Sequence, residues 1–320
     1  MEENLMPCWY YDNEELSRTP SVRDNIPIEK ELLFRKHGAL FIIDLSRELK
    51  LIHITCATAV VFFHRFYMIH SFQSFPLYVT AACCVMLAGK VEETPKKASD
   101  IIRRSRGLLK PENYSQFGEN PIEKLIGFER VLLKTMHFDF LVKHPYSFLT
   151  QFAKRIKSVS KLQEDKSIHL NSEERQHELQ NCVQNAWTFI NDSLSTTLCL
   201  QWEPEIIACA VLYLAAKMSK VLIIDWEGKK PGVHKKWWEC FVEGMSSDIL
   251  QKICHCVLDV YQTSQATQRP STSTKEERRH SHQQPVKPQI DDDFPNFLAP
   301  TSSSVHHSQS VNNLPSKNHV

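Results

Sequence analysis

The sequence predicts an all-α protein made of two tandem copies of one five-helix unit. Three observations carry this. First, Leu87-Ala88-Gly89-Lys90, closing an apolar run, is echoed 127 residues later by Leu214-Ala215-Ala216-Lys217, closing another. Self-similarity at a long period marks a repeated structural unit. Second, only 8 glycines occur in 320 residues, and no Asn-Gly or Asp-Gly hairpin signal is among them. Third, long stretches place apolar residues at helical spacing.

The elements follow in order. An arm, residues 1–26, carries Trp9, Tyr10, Tyr11 and Leu16 before Thr19-Pro20-Ser21. Clustered aromatics on a free arm are unfavourable, so it should pack back onto the body. The first unit, residues 27–143, begins with a helix over Ile28–Leu49, whose apolar face is read as Leu32, Leu33, Leu40, Phe41, Leu45 and Leu49. A second helix covers Thr55–Ser71. A third, Phe75–Val91, is apolar nearly all round and should be the buried centre. Thr94-Pro95 reads as a capped start of a fourth helix, ending near Arg106 before Gly107. Asn120-Pro121 starts the fifth, with its stripe at Ile122, Leu125, Ile126, Leu132, Leu133 and Met136.

The second unit, residues 144–263, restarts at His144-Pro145, because the residue before proline resists helix. Helices are expected over Tyr146–Lys157, Ser172–Leu194, Glu205–Ser219, Lys235–Val242 and Ser247–Tyr261, with a polar loop at Ser158–Asn171. Trp237 and Trp238 are read as buried within this unit rather than as a partner surface. Residues 264–320 turn to Ser, Thr, Gln, His, Pro and Asn and are read as a disordered tail. One apolar cluster within it, Phe294 to Leu298 behind Asp291-Asp292-Asp293, is a possible docking motif or a chance run.

Composition narrows function by exclusion. With 38 basic and 37 acidic residues the chain lacks the positive excess of a phosphate-neutralising protein, so direct nucleic-acid binding is not expected. The ten cysteines include no CxxC pair, and several fall on apolar helix faces, as buried thiols of a reducing compartment do. An acidic N-terminus without an apolar core argues against a secretory signal, and no run is long enough for a membrane span. No metal or cofactor is expected. His64 and His137 have no ligand at helical spacing, Cys254-His255-Cys256 is too tight for zinc, and Gly89-Lys90 lacks the glycine and the Ser or Thr of a phosphate-binding loop. No catalytic signature is found.

Two charged residues stand out on apolar faces. Glu129 lies within the fifth-helix stripe, four residues from Leu125 and three from Leu132. It is either a rim carboxylate reaching water or paired with Arg130 or Lys134, or it serves a partner. Lys90 ends the apolar third helix, where a lysine also complements the dipole. In the second unit Lys217 repeats Lys90, but Cys254 stands where Glu129 stands. Only the first unit has both charges.

Tandem five-helix units around an apolar centre resemble the two boxes of a cyclin. Trp9-Tyr10 with Thr19-Pro20-Ser21, then His64–Pro76 and Ala88–Lys97, resemble the transcription-type cyclins of the K and T kind. Pro7–Tyr11, Val79–Cys84, Val142–Leu149, Ala186–Leu194 and Leu200–Ala208 are similar above all to the K kind. The resemblance implies a nuclear, non-catalytic subunit that activates a cyclin-dependent kinase acting on the C-terminal domain of RNA polymerase II, promoting elongation. It implies a kinase of the twelve or thirteen type, or of the nine type for a T-like subunit. It also implies that Lys90 and Glu129 bind the kinase. The stretch Gly38–Ile42 lacks the Met and Arg of the docking patch of cell-cycle cyclins. A cyclin-box DNA-binding transcription factor is the alternative of a different class; it would need a basic face and usually a zinc ribbon.

Overall fold

The computed structural model describes residues 9–163, 166–168, 171–230, 232 and 236–266. The arm forms two short helices, α1 (Asn13–Ser17), started by an Asp12–Glu15 capping box, and α2 (Pro20–Arg23), capped by Thr19. It packs back as expected. The buried Trp9 ring lies under the Arg65 guanidinium at 4.8 Å, and its Nε1 donates to Asp139 Oδ2 at 2.9 Å. Tyr11 N–H reaches Leu200 O in the second half of the chain at 2.8 Å.

The first bundle holds α3 (Ile28–Glu48), α4 (His53–Ile69), α5 (Leu77–Val91), α6 (Ala98–Leu108), the short α7 (Pro111–Tyr114) and α8 (Pro121–Thr135). α5 is its centre, buried from Val79 to Gly89 without a break. α4 lies beside it, and its Phe66 meets Phe75 and Phe128 at centroid distances of 5.2 and 5.6 Å.

Two sequence expectations change here. The buried face of α3 is Glu31, Arg35, Gly38, Ala39, Phe41, Ile42, Leu45 and Ser46, whereas Leu32, Leu33 and Leu40 are exposed. A buried ion pair turns the helix. Arg35 binds Glu31 Oε1 at 2.8 Å and donates to the carbonyls of His64 and Tyr67 at 2.9 Å, while Thr19 Oγ1 donates to Glu31 Oε2. Gly38 sits on the same face because a Cβ there would fall 2.0 Å from Phe63 Cζ. The second change concerns Thr94-Pro95, which closes α5 instead of starting α6. Glu93 turns left-handed at φ 55°, Thr94 N–H donates to Gly89 O at 2.8 Å, and the Thr94 hydroxyl meets that of Thr55 at 2.8 Å. α6 then starts at Ala98 and runs through Gly107 to Leu108.

The second bundle holds α9 (Pro145–Arg155), β1 (Ile156–Gln163), β2 (Lys166–Ile168), α10 (Ser172–Ser193), α11 (Pro204–Met218), β3 (Val221–Trp226), α12 (Trp237–Phe241) and α13 (Ser247–Ala266). The fold is all-α in its cores, with a small antiparallel sheet of order β2-β1-β3 added to the second bundle. Part of the expected polar loop at Ser158–Asn171 is therefore strand: Val159 pairs with Ile223, and Lys161 with Val221 and Ile168. β1 is polar by composition, but Val159 and Ser160 are buried against the body, which a reading by hydrophobicity misses. α11 is the buried centre, as expected. α13 reaches Ala266, past the expected start of the tail, and residues 267–320, including the Phe294–Leu298 cluster, lie outside the described residues.

The two bundles share buried contacts. His64 Nε2 donates to Leu194 O at 3.0 Å. Thr58 Oγ1 accepts from His144 Nε2 and donates to Glu92 Oε1, each at 2.8 Å. Burial, then the nearby charge of Arg35, pushes His64 down to about 3; burial, then His53 and Arg65, pushes His144 down to about 4. Below their ordinary value near 6.5 both take up a proton in the unfolded chain but not in the folded one. Their contribution is fully present above pH 6.5 and is lost as pH falls toward 4, at up to about 1.4 kcal/mol per pH unit for each histidine. Urea midpoints should therefore fall between pH 7 and 5, with a flatter profile in His64→Gln. A profile indifferent to that substitution contradicts the assignment.

Cys83, Cys84, Cys182, Cys209 and Cys254 are buried free thiols, and burial pushes Cys182 up to about 12 and Cys254 to about 11. Among the described residues no helix is long and apolar enough to cross a membrane, and no cluster of three or more His, Cys, Asp or Glu could hold a metal.

Candidate functional site

α5 and α8 pack side by side, and the end of α5 brings Lys90 to the middle of α8. Lys90 Nζ lies 2.5 Å from Glu129 Oε1. The partner of Glu129 is thus on another helix, not the neighbouring Arg130 or Lys134. The lysine is half exposed, with 51% of its side chain accessible, and the glutamate 14%. A pair this open contributes about 0–1 kcal/mol to folding.

The surroundings of the pair correct the expected stripe of α8. Leu125, Phe128 and Leu132 face the core, while Ile122 and Ile126 are 43% and 50% exposed. Ile122, Ile126, Glu129 and the half-buried Leu133 are spaced four, three and four residues apart, so they form one outward face. Phe128, absent from the expected stripe, takes the core place, its ring tilted against Phe66 and edge-on to Phe75. Its aromatic character was the available signal.

The chain leaves α8 through two consecutive left-handed residues, His137 at φ 50° and Phe138 at φ 59°. For a bulky side chain this costs about 1–2 kcal/mol. Phe138 is nevertheless 69% exposed, and Leu141 beyond it 78%. Asp139 between them is held by the Trp9 indole of the arm. The first bundle therefore shows a charge pair beside the exposed Ile122 and Ile126 of α8, and, after α8, a pinned turn displaying two large apolar side chains.

The second bundle repeats the frame without the pair. Lys220 turns left-handed at φ 54°, three residues after Lys217, as Glu93 does three residues after Lys90. Cys254, opposite Glu129 in the repeat, is buried and donates its thiol to Ala210 O at 3.6 Å. Lys217 Nζ lies instead over the Tyr213 ring, 5.6 Å from its centroid.

The cyclin N-terminal domain family matches residues 7–141, and the Cyclin-T2-like C-terminal domain family matches residues 167–260. The chain is 48% identical to human Cyclin-K over 259 residues, 81% of this chain and 42% of that protein. This chain belongs to the cyclin family. Its identity to Cyclin-T1-3 of Oryza sativa is lower, 31% over 319 residues, 94% of the cyclin described here and 59% of the rice protein. The chain spans about half the length of the curated relatives it matches. Among solved structures it is similar to a chain of the yeast RNA polymerase II CTD kinase CTDK-1 complex, with a TM-score of 0.57 at 19% identity, covering 80% of this cyclin and 74% of that chain. At that identity the likeness speaks to the fold. Among the described residues, unit one of the cyclin thus holds a Lys–Glu pair that unit two lacks.

Proposed function

We propose that this cyclin is the activating, non-catalytic subunit of a nuclear cyclin-dependent kinase that phosphorylates the C-terminal domain of RNA polymerase II. Residues 27–143 serve as the kinase-binding box and residues 144–263 as the second box. Lys90 and Glu129 contact the kinase, flanked by Ile122, Ile126, Phe138 and Leu141. The observation that carries the reading is that, among the described residues, unit one alone sets a charge pair beside exposed apolar side chains on the same side of α8. A contiguous exposed apolar face rimmed by charge is a protein-binding surface.

The mechanism is selection by packing. A kinase transfers phosphate only when its strand-three Lys pairs with the Glu of its regulatory helix. A rigid face that binds only the helix-in state shifts the population toward that state. The cyclin supplies affinity and no reacting group. The identity of 48% to cyclin K against 31% to the rice cyclin T favours a kinase of the twelve or thirteen type over the nine type. Affinity purification of the full chain from nuclear extract, with the bound kinase identified by mass spectrometry, tests this. The expected result is a twelve- or thirteen-type kinase; recovery of the nine type alone would overturn the K-like assignment, and recovery of no kinase the proposal itself.

A further inference from the structure

Unit two contains a cleft of about 230 Å³ between α11, β3 and α12, far from the Lys90 face in sequence and lined by a different chemistry. Its walls are aromatic, made by Tyr213, Trp226, Trp237 and Trp238, and its rim carries Lys217 and Lys236. Two indole N–H groups in these walls, Nε1 of Trp226 and of Trp238, are buried with no hydrogen-bond partner. Trp226 as a whole is 4% exposed. A buried donor left unpaired costs about 1–3 kcal/mol, and each such group needs a reason.

The lysines are unevenly engaged. Lys236 Nζ donates to Ser247 Oγ at 3.1 Å and lies 3.8 Å from Glu239 Oε1. Lys217 has no carboxylate partner among the described residues, since Cys254 has taken the place that Glu129 fills in unit one. Lys229, beyond the strand, sits over the Trp226 ring at 4.6 Å. The cleft therefore offers aromatic walls and an unneutralised cation. That combination suits a peptide with carboxylates beside aromatic side chains.

Within residues 267–320 one segment has that composition: Asp291-Asp292-Asp293-Phe294-Pro295-Asn296-Phe297-Leu298. It begins 25 residues beyond Ala266, where α13 ends. Fully extended, 25 residues reach roughly 80 Å, well beyond the ~47 Å diameter of a sphere with the radius of gyration of ~18 Å expected for about 260 residues. Any point on unit two is within reach. We infer that the 291–298 segment docks in the unit-two cleft of its own chain. The aspartates meet Lys217, and Phe294 and Phe297 pack on the indole and phenol walls.

The test uses the full chain with Phe297→p-benzoylphenylalanine, irradiated and mapped by mass spectrometry in a mixture of light and 15N-labelled copies. The expected result is cross-links within one chain to residues 213–226 or 236–238, reduced at least fivefold by Lys217→Glu and by Asp291→Asn/Asp292→Asn/Asp293→Asn. Both variants change exposed or tail residues and should melt at the parent temperature. Cross-links absent from the cleft, cross-links only between copies, or cross-links indifferent to both charge variants would each overturn the inference.

Discussion

Exchanging the charges of Lys90 and Glu129, as Lys90→Glu/Glu129→Lys, should abolish kinase co-purification while leaving the cyclin folded. The two groups pair with each other at 2.5 Å, so the exchange rebuilds an internal pair of reversed polarity. Its cost to folding is bounded by the worth of an exposed pair, about 0–1 kcal/mol. In the proposed kinase contact, each reversed charge meets its partner with the wrong sign. Breaking one partner of a hydrogen-bonded interfacial charge pair costs about 2–5 kcal/mol, or roughly thirty- to several-thousand-fold in affinity. Lys90→Glu alone should lose the kinase as well and also leave two carboxylates together. A melting temperature equal to the parent's with undiminished kinase binding would remove both residues from the interface.

Removing Glu31 should have the largest effect on stability. Arg35 and Glu31 are each 2% exposed, and the guanidinium also holds the carbonyls of His64 and Tyr67 in the C-terminal part of α4. Glu31→Ala leaves a buried cation without its counter-charge, which costs about 3–5 kcal/mol. It also strands the Thr19 hydroxyl that fixes the arm. Replacing both partners, Glu31→Leu/Arg35→Met, should recover much of that loss, since an isosteric apolar pair avoids the desolvation penalty. Chemical denaturation of the parent and the two variants gives the comparison. A single variant as stable as the parent would mean that Arg35 finds another partner or water.

These residues also mark where the sequence was legible and where it was not. α5 and α11 could be read because they are apolar on every side, so no face had to be chosen. The arm could be read because its aromatics had nowhere else to go. α3 was misread because two ionic residues point inward, and a pattern that sends charge outward rotates the helix onto Leu32, Leu33 and Leu40. The same error on α8 put Ile122 and Ile126 inside and left out Phe128. In both helices part of the assigned stripe is buried as expected, Leu45 and Leu49 from the α3 stripe and Leu125 and Leu132 from that of α8, while Leu32, Leu33, Leu40, Ile122 and Ile126 are displayed at the surface. β1 was invisible because its strand character comes from pairing with β3 and not from its own composition. β3 itself, Val221 to Trp226, had a signal in its apolar, partly β-branched run between Lys220 and Gly228.

Of the site, the two charges and their absence as a pair from unit two were legible from the repeat alone. Their contact was not, because Lys90 and Glu129 lie 39 residues apart and only the packing of α5 on α8 joins them. The exposed ridge and the pinned Phe138 turn were also beyond the sequence, since both depend on which side of α8 faces the core.

Phosphorylation of an RNA polymerase II heptad-repeat peptide by the purified kinase tests the account most directly. Three preparations are compared: kinase alone, kinase with this cyclin, and kinase with the folded Lys90→Glu/Glu129→Lys variant. The account predicts near-background activity for the first and third and strong activation for the second. Equal activation by the parent cyclin and the variant would contradict the proposed role of the Lys90–Glu129 face.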